Sequence, residues 1–200
     1  MQMRIERQTG RYRMIAAVLA GIPTARAFLH NAPPRSGIVL ETTGETLELA
    51  LEKLAQALRD RDSAAITSRR IDPTHGFQIL TSAEFSDALA AVKMAPADWA
   101  MLRAHATAGE SGLTAEGLAR AASWPDYETA NLQYGKLAKR VGDLLSYNFN
   151  LLPVAKGGKA TATYILASGD WVGPDGTFLW WMHPELIAAV QDRGTAGVVG

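Results

Sequence analysis

Four short segments near the N-terminus alternate between apolar and polar residues or are apolar throughout, and they predict a small antiparallel sheet. The expected strands are residues 3–7, 12–19, 23–30 and 37–41. Turn-forming residues separate them, namely Gly10, the Gly21–Pro23 step and a stretch rich in Pro and Gly at 31–37. The N-terminal part of the chain is therefore predicted to form a β-sheet.

One apolar stripe predicts an amphipathic helix directly after this sheet. Its members recur at intervals of three and four residues and so share one helix face: Leu47, Ala50, Leu51, Leu54 and Leu58. We expect the helix to open at Thr43–Gly44. The polar residues 62–78 then predict a linker or an inter-domain strand region, and the first domain is expected at 1–75, a sheet with one helix.

The second half of the chain has helical periodicity broken by prolines. It predicts helices within 81–95, 96–109, 114–122 and 127–146, with Thr81 and Thr114 as N-caps. Segments 151–154 and 161–166, on either side of a Gly-Gly turn, predict a β-hairpin. Segments 171–172 and 178–181 predict further strands, and 185–191 a short helix. We therefore expect an α+β chain whose second domain, 80–194, is mostly helical.

Two helices joined by a tight turn and followed by a hairpin are typical of a winged helix-turn-helix, which makes the second domain winged-helix-like. The second helix of the pair would enter the major groove, with Tyr134, Leu137 and Val141 facing the core. Asn can pair with adenine, and Lys suits guanine or phosphate. The predicted nucleic-acid-binding residues are Thr129, Asn131, Lys136 and Lys139 on this helix and Lys156 and Lys159 at the hairpin tip. The alternative is an ordinary solvated helix face.

The N-terminal strands carry a second candidate patch. Five arginines and one acidic residue, Glu6, fall within the first 30 positions, and the secondary basic patch consists of Arg4, Arg7, Arg11 and Arg13. Strand alternation would put Arg11 and Arg13 on one face and the Tyr12 ring on the other. A basic sheet face can hold nucleic acid, although a solvated outer face over a helix-covered core explains the pattern as well.

Composition narrows the classes of function. The 200 residues are 48% hydrophobic and include no cysteine, which excludes disulfides, thiolate nucleophiles and cysteine-ligated metals. Twenty basic and twenty acidic residues cancel, so we expect modest non-specific affinity for nucleic acid. No apolar run is long enough to span a bilayer, and 14–22 does not predict a signal peptide. We expect a cytoplasmic protein that does not bind membranes.

Signatures of catalysis are weak. The histidines His30, His75, His105 and His183 are scattered, and no nucleotide-binding or nucleophile-elbow motif occurs. The sequence therefore predicts no enzyme, no metal and no cofactor. A hydrolytic alternative would require a metal at His75 or His105.

Two segments resemble known bacterial families. SGLTAEGLARAA at 111–122, YETANLQYGK at 127–136 and WMHPELIAAV at 181–190 resemble a segment found beside HNH endonuclease and related restriction domains. This resemblance implies a DNA-targeting or accessory role without nuclease activity, because the HNH histidines are missing. TGETLELA at 43–50, after the strands, resembles the sheet-plus-helix layer of HicB antitoxins, although the preceding loop departs from that family.

The leading hypothesis is a non-enzymatic protein that binds double-stranded DNA, in regulation or in bacterial or phage defence. The alternative is a protein–protein adaptor or inhibitor that uses the region of Leu132 and Trp180 or the edge of the sheet.

Overall fold

In the computed structural model, the described residues are 4–32, 37–154, 160–172 and 176–196. The chain is α+β, as predicted. Contacts divide it into two compact units, Met1–Ser68 with Ala90–Val92 and Arg69–Leu89 with Lys93–Gly200. Within the described ranges, no helix has the length and apolar character that crossing a bilayer would require.

The first unit confirms the predicted antiparallel sheet. Its strands lie side by side in chain order: β1 (Arg4–Thr9), β2 (Tyr12–Leu19), β3 (Ile22–Leu29) and β4 (Leu40–Thr43). Alternation along β2 buries Tyr12, Met14 and Ala16 on one face. Helix α1 (Leu47–Thr67) covers this face, and all five residues of its predicted apolar stripe are buried.

Helix α1 begins later than the sequence predicted. Thr46 is its N-cap and accepts a hydrogen bond from the Leu49 amide at 3.2 Å. Gly44 is still tied to the sheet, because its amide donates to the Pro23 carbonyl at 3.1 Å. A Cβ atom on Gly44 would lie 2.6 Å from the Ala50 nitrogen, so the chain passes too close to the helix for any other residue.

In its described residues the second unit contains five α-helices, except that the last two residues of α2 belong to the first unit, and short antiparallel strands. Its elements are β5 (Arg70–Ile71), β6 (Gln78–Ile79), α2 (Ser82–Ala91), α3 (Pro96–Ala108), α4 (Ala115–Ala121), α5 (Tyr127–Leu144), β7 (Ala167–Val172), β8 (Thr177–Met182) and α6 (Pro184–Ala196). Each of the predicted helices is present. The segment 62–78, expected as a linker or a strand region, is divided: α1 runs to Thr67, and the residues from Arg69, which include the strand β5, belong to the second unit.

The predicted hairpin at 151–166 is wrong. Ala162–Ile165 and Phe149–Leu151 form 3₁₀ helices, and the described strand pairing there is a single bridge between Val154 and Ala160. Close packing explains the difference: a Cβ atom on Gly142 of α5 would lie 2.5 Å from Cδ1 of Ile165. The missing side chain lets Ile165 bury itself against α5, and this burial outweighs the strand propensity of the segment.

The hairpin of this unit lies further along the chain, between β7 and β8. Leu113, just before α4, pairs with Trp180 of β8 through two backbone hydrogen bonds of 2.8 and 3.0 Å. Between α4 and α5, Ser123 takes a positive φ of 55°, and the Trp124 amide bonds to the Ala119 carbonyl at 2.9 Å, which closes a tight turn. Along the chain, α3 is thus followed by the strand-like Leu113, then by α4, a tight turn, α5 and the β7–β8 hairpin.

Candidate functional site

Helix α5 forms one wall of a groove in the second unit. Asp126 caps it, accepting from the Thr129 amide at 2.6 Å and the Thr129 hydroxyl at 3.0 Å, and these bonds hold the pKa of Asp126 below its usual value. Tyr134, Leu137 and Val141 are fully buried, as the apolar pattern predicted. The cap and the buried stripe together fix which side of α5 faces the solvent.

The residues predicted to bind nucleic acid differ in whether their side chains already form hydrogen bonds or ion pairs within the protein. Asn131 and Lys136 are exposed, and neither makes a side-chain hydrogen bond or ion pair with another described residue. The Lys139 ammonium bonds to both carboxylate oxygens of Asp143 at 2.8 Å and lies 5.2 Å from the centre of the Phe149 ring. The Thr129 hydroxyl is engaged in the cap. Lys156 and Lys159 lie outside the described residues.

The β7–β8 hairpin forms the opposite wall, with aromatic rings on one face. Trp171 pairs directly across the strands with Phe178, and their rings meet edge to face at 5.2 Å and 85°. Phe178 meets Trp180 in the same way at 4.9 Å and 61°. A Cβ atom on Gly169 would lie 2.5 Å from the Phe178 ring, so only glycine leaves room for this arrangement. Trp171 is 69% exposed.

The groove between these walls has a volume of about 890 Å³. Tyr127, Asn131 and Leu132 of α5 line it on one side, and Trp171 and Phe178 on the other. The remaining described lining residues are Ala115 and Glu116 of α4, Thr161, Thr163, Gly176, Thr177 and Trp180. The volume is that of a typical small-ligand site, and the surface is mainly apolar with a few polar groups.

A buried polar contact supports the floor of this groove. Nε2 of His105 donates to the Trp180 carbonyl at 2.9 Å, which leaves Nδ1 to accept from the Tyr134 hydroxyl at 2.8 Å. His105 is fully buried, and burial lowers its pKa to about 4, so the ring is neutral at pH 7. Both ring nitrogens are occupied, which argues against His105 as a metal ligand and makes it a link between α3, α5 and β8.

His75 is also engaged, in a cluster around Asp72. One carboxylate oxygen of Asp72 accepts from the His75 amide at 2.7 Å and lies 3.2 Å from Nδ1 of its ring, while the other accepts from the Ser168 hydroxyl at 2.5 Å. Burial raises the pKa of Asp72, but these hydrogen bonds outweigh it and hold the pKa below its usual value. The part of the chain that is described contains no cluster of three or more side chains suited to a metal ion.

The secondary basic patch in the first unit is divided between two faces of the sheet. Arg4 and Arg13 lie on the outer face near Glu6, at 2.8 and 3.8 Å. Arg7 pairs with Met14 in the register and therefore lies on the side that α1 covers. The expectation that Arg11 and Tyr12 point to opposite faces is wrong.

Arg11 sits in the turn before β2, where strand alternation has not yet begun. Its guanidinium and the Tyr12 hydroxyl both bond to the same Asp62 oxygen, at 2.9 and 2.6 Å. The Arg11 side chain is only 8% exposed, so it adds little to an exposed basic surface.

Sequence reasoning missed the aromatic part of the groove. The sequence patterns predict strands at 171–172 and 178–181 but do not identify Tyr127, Trp171 or Phe178 as site residues; the structure places Trp171 directly opposite Phe178. Glu116, which no sequence pattern indicates as a site residue, also lines the groove. The available sequence signal is an aromatic residue on each side of a Pro-Asp-Gly sequence, Trp171 and Phe178, with Gly169 two residues before Trp171.

Comparisons of the chain with protein-family models, with curated proteins and with solved structures found no match.

Proposed function

We propose that the second unit is a winged-helix-like, non-enzymatic module that binds double-stranded DNA through α5 and the β7–β8 hairpin. The observation that carries this proposal is the order of elements from α3 to β8, with Leu113 paired to Trp180. In helix-turn-helix modules, the second helix of the pair enters the major groove. Here α5 takes that place, and the hairpin takes the place of the wing.

The exposed side of α5 has groups that suit this role. Asn131 offers both a donor and an acceptor, which match the major-groove edge of adenine, and Lys136 suits guanine or a phosphate. Both side chains are exposed and make no polar contact with other described residues. The chain has 20 basic and 20 acidic residues, so it has no net positive charge to strengthen non-specific contact with phosphates. We therefore expect weak binding at physiological salt and stronger binding at low salt.

The sequence motif around Asn131 and Tyr134–Gly135 adds a biological context to the proposal. It resembles segments beside bacterial restriction domains, so we place the protein in the cytoplasm, in regulation or in bacterial or phage defence. No cofactor is needed for this role.

Fluorescence anisotropy of a labelled mixed-sequence duplex tests the proposal. We expect Lys136→Glu to weaken binding at least about tenfold at low salt, because one cation becomes an anion at the contact. Lys93→Glu is the matched control, since it makes the same charge change at an exposed lysine that belongs to neither α5 nor the hairpin. Lys139→Glu is less suitable, because it would also place a like charge beside Asp143.

Equal affinities of Lys136→Glu and the unchanged protein would refute the groove-helix role of α5. Absence of binding even at low salt would refute DNA binding altogether.

A protein–protein adaptor is the second candidate function, and the exposed apolar side chains favour it. Leu132 is 57% exposed and Trp171 is 69% exposed on facing walls of the groove. Aromatic anchors of this kind are enriched at the centres of protein interfaces. Two results together would support the adaptor. The protein would not bind DNA, and it would capture one partner protein independently of salt, with capture lost in Leu132→Asp.

A further inference from the structure

We propose that the groove between α5 and the β7–β8 hairpin receives a single unstacked nucleobase bearing an amino group, adenine or cytosine. This inference rests on the proposed function and extends it from the duplex surface to one extruded base. Proteins that extrude a base from a duplex hold it in a pocket by stacking it between aromatic or apolar side chains.

The aromatic wall offers a surface for stacking. Trp171 is 69% exposed, yet its ring is fixed edge to face against Phe178, which in turn meets Trp180. Trp180 continues the series to Tyr164 at 5.4 Å and 72°. Each ring is therefore held by the next, and the outermost ring is presented to the groove with little freedom left to lose on binding.

The polar groups of the groove match the edge of an amino-bearing base. Glu116, Asn131 and Thr163 line it, and their side chains make no hydrogen bond to other described residues. Carboxylates accept hydrogen bonds from the cytosine amino group, and asparagine pairs with adenine. Acceptors thus outnumber cations inside the groove, which favours a base with an exocyclic amine over one without.

The charges of the groove favour a base over a phosphate as its occupant. Glu116 would repel a phosphate placed in the groove, whereas Lys136 is exposed further along α5. A volume of about 890 Å³ exceeds that of one base and leaves room for its sugar. A purely apolar peptide anchor would leave the three polar side chains without partners, so a base fits the chemistry better.

The test compares anisotropy titrations of three labelled duplexes: fully paired, with one extra unpaired adenine, and with one extra unpaired thymine. We expect the adenine bulge to bind about tenfold to a hundredfold more tightly than the paired duplex, since stacking on an aromatic side chain is worth that factor. The thymine bulge should gain less. Trp171→Ala should bring the adenine bulge to the affinity of the paired duplex.

Val172→Ala is the matched control, because Val172 is the exposed neighbour on the opposite face of β7. It should keep the preference for the bulge. Thermal unfolding of both variants checks that the hairpin is intact, which we expect because Trp171 is mostly exposed.

The outcomes distinguish this inference from the function on which it rests. Salt-sensitive binding without preference for the adenine bulge would overturn the base site and leave DNA binding standing. A preference that survives Trp171→Ala would also overturn it, because the bulge would then be recognised elsewhere. No binding to any of the duplexes at low salt would overturn both.

Discussion

The outer face of the N-terminal sheet and the groove of the second unit are both candidate binding surfaces, but they differ in how their polar side chains are used. On the sheet, Arg4 bonds to Glu6 at 2.8 Å and Arg26 bonds to Glu41 across the strands. The depression there is only about 230 Å³. In the groove, Asn131 and Glu116 make no side-chain hydrogen bonds with described residues, and the volume is about 890 Å³.

This difference shows that the number of charged residues in a segment does not tell whether that segment forms a binding surface. The first 30 residues have five arginines and one acid, which suggests a strongly basic surface. Pairing with acids from elsewhere in the chain, such as Asp62 and Glu41, neutralises part of it. The groove has few charges but keeps its hydrogen-bonding groups available. Availability, rather than count, makes it the better candidate.

The largest expected effect concerns the buried ion pair of the second unit. Arg69 and Glu84 meet at 2.6 Å with side chains only 7% and 4% exposed, unlike the exposed pairs of the sheet. Burial raises the pKa of Glu84, but bonds from Arg69 and Thr81 outweigh it and keep the pKa below its usual value. Arg69→Met should lower the free energy of unfolding by about 3–5 kcal/mol, since it strands a buried carboxylate.

Urea unfolding followed by tryptophan fluorescence measures this effect, because all five tryptophans belong to the second unit. Adding Glu84→Gln should recover part of the loss, as the amide still accepts from the Thr81 amide at the start of α2. A loss below about 1 kcal/mol in Arg69→Met would mean that the pair behaves like the exposed pairs of the sheet.

A smaller loss of folding stability is expected when the pH is lowered, and it too concerns the second unit. The His105 pKa of about 4 lies below the ordinary value of 6.5. The unfolded chain therefore takes up a proton at higher pH than the folded one, and stability falls as the pH drops from 6.5 towards 4. Between pH 7.5 and 5, His105 should account for a loss of about 2 kcal/mol. Burial also lowers the pKa of His183, which adds a loss of the same sign.

His105→Gln isolates this contribution. A glutamine can donate to the Trp180 carbonyl and accept from the Tyr134 hydroxyl, as His105 does, but it does not titrate. We expect the variant to be less stable at pH 7.5 and to lose less stability between pH 7.5 and 5 than the unchanged protein. An unchanged pH slope in urea titrations would assign the effect to His183 or to the carboxylates.

Local patterns predicted most of the fold, and contacts distant in sequence account for the rest. The helices carried their own caps and apolar stripes, such as Thr114 before α4 and Leu47 to Leu58 in α1. The hairpin was misplaced because Gly142 packs against Ile165, a contact that strand propensity does not reveal. Likewise, Arg11 pairs with Asp62, 51 positions away. Local periodicity describes neighbours along the chain, not partners across it.

The same limit applies to the groove, because local periodicity predicts its α5 wall but not its hairpin wall. Asn131 and Lys136 are exposed on α5, as the helical wheel indicated, because a capped amphipathic helix fixes its own faces. The aromatic wall depends on which residue of β8 lies opposite Trp171, and in the register of the two strands that residue is Phe178. Without that pairing, Phe178 and Trp180 resemble ordinary core residues.

The smallest expected effect completes the comparison, through the double variant Arg4→Ser and Arg13→Ser on the outer face of the sheet. Both side chains are about half exposed, at 56% and 46%, and both contacts are to an equally exposed Glu6. The free energy of unfolding should fall by less than about 1 kcal/mol, measured by amide hydrogen exchange along β1 and β2. Duplex affinity should change by less than about threefold, against at least about tenfold for Lys136→Glu. If the sheet variant instead weakened DNA binding more than Lys136→Glu does, the basic strands would be the nucleic-acid surface. The groove would then need another ligand, because its unengaged Asn131 and Glu116 and exposed Trp171 would no longer have a role in holding DNA.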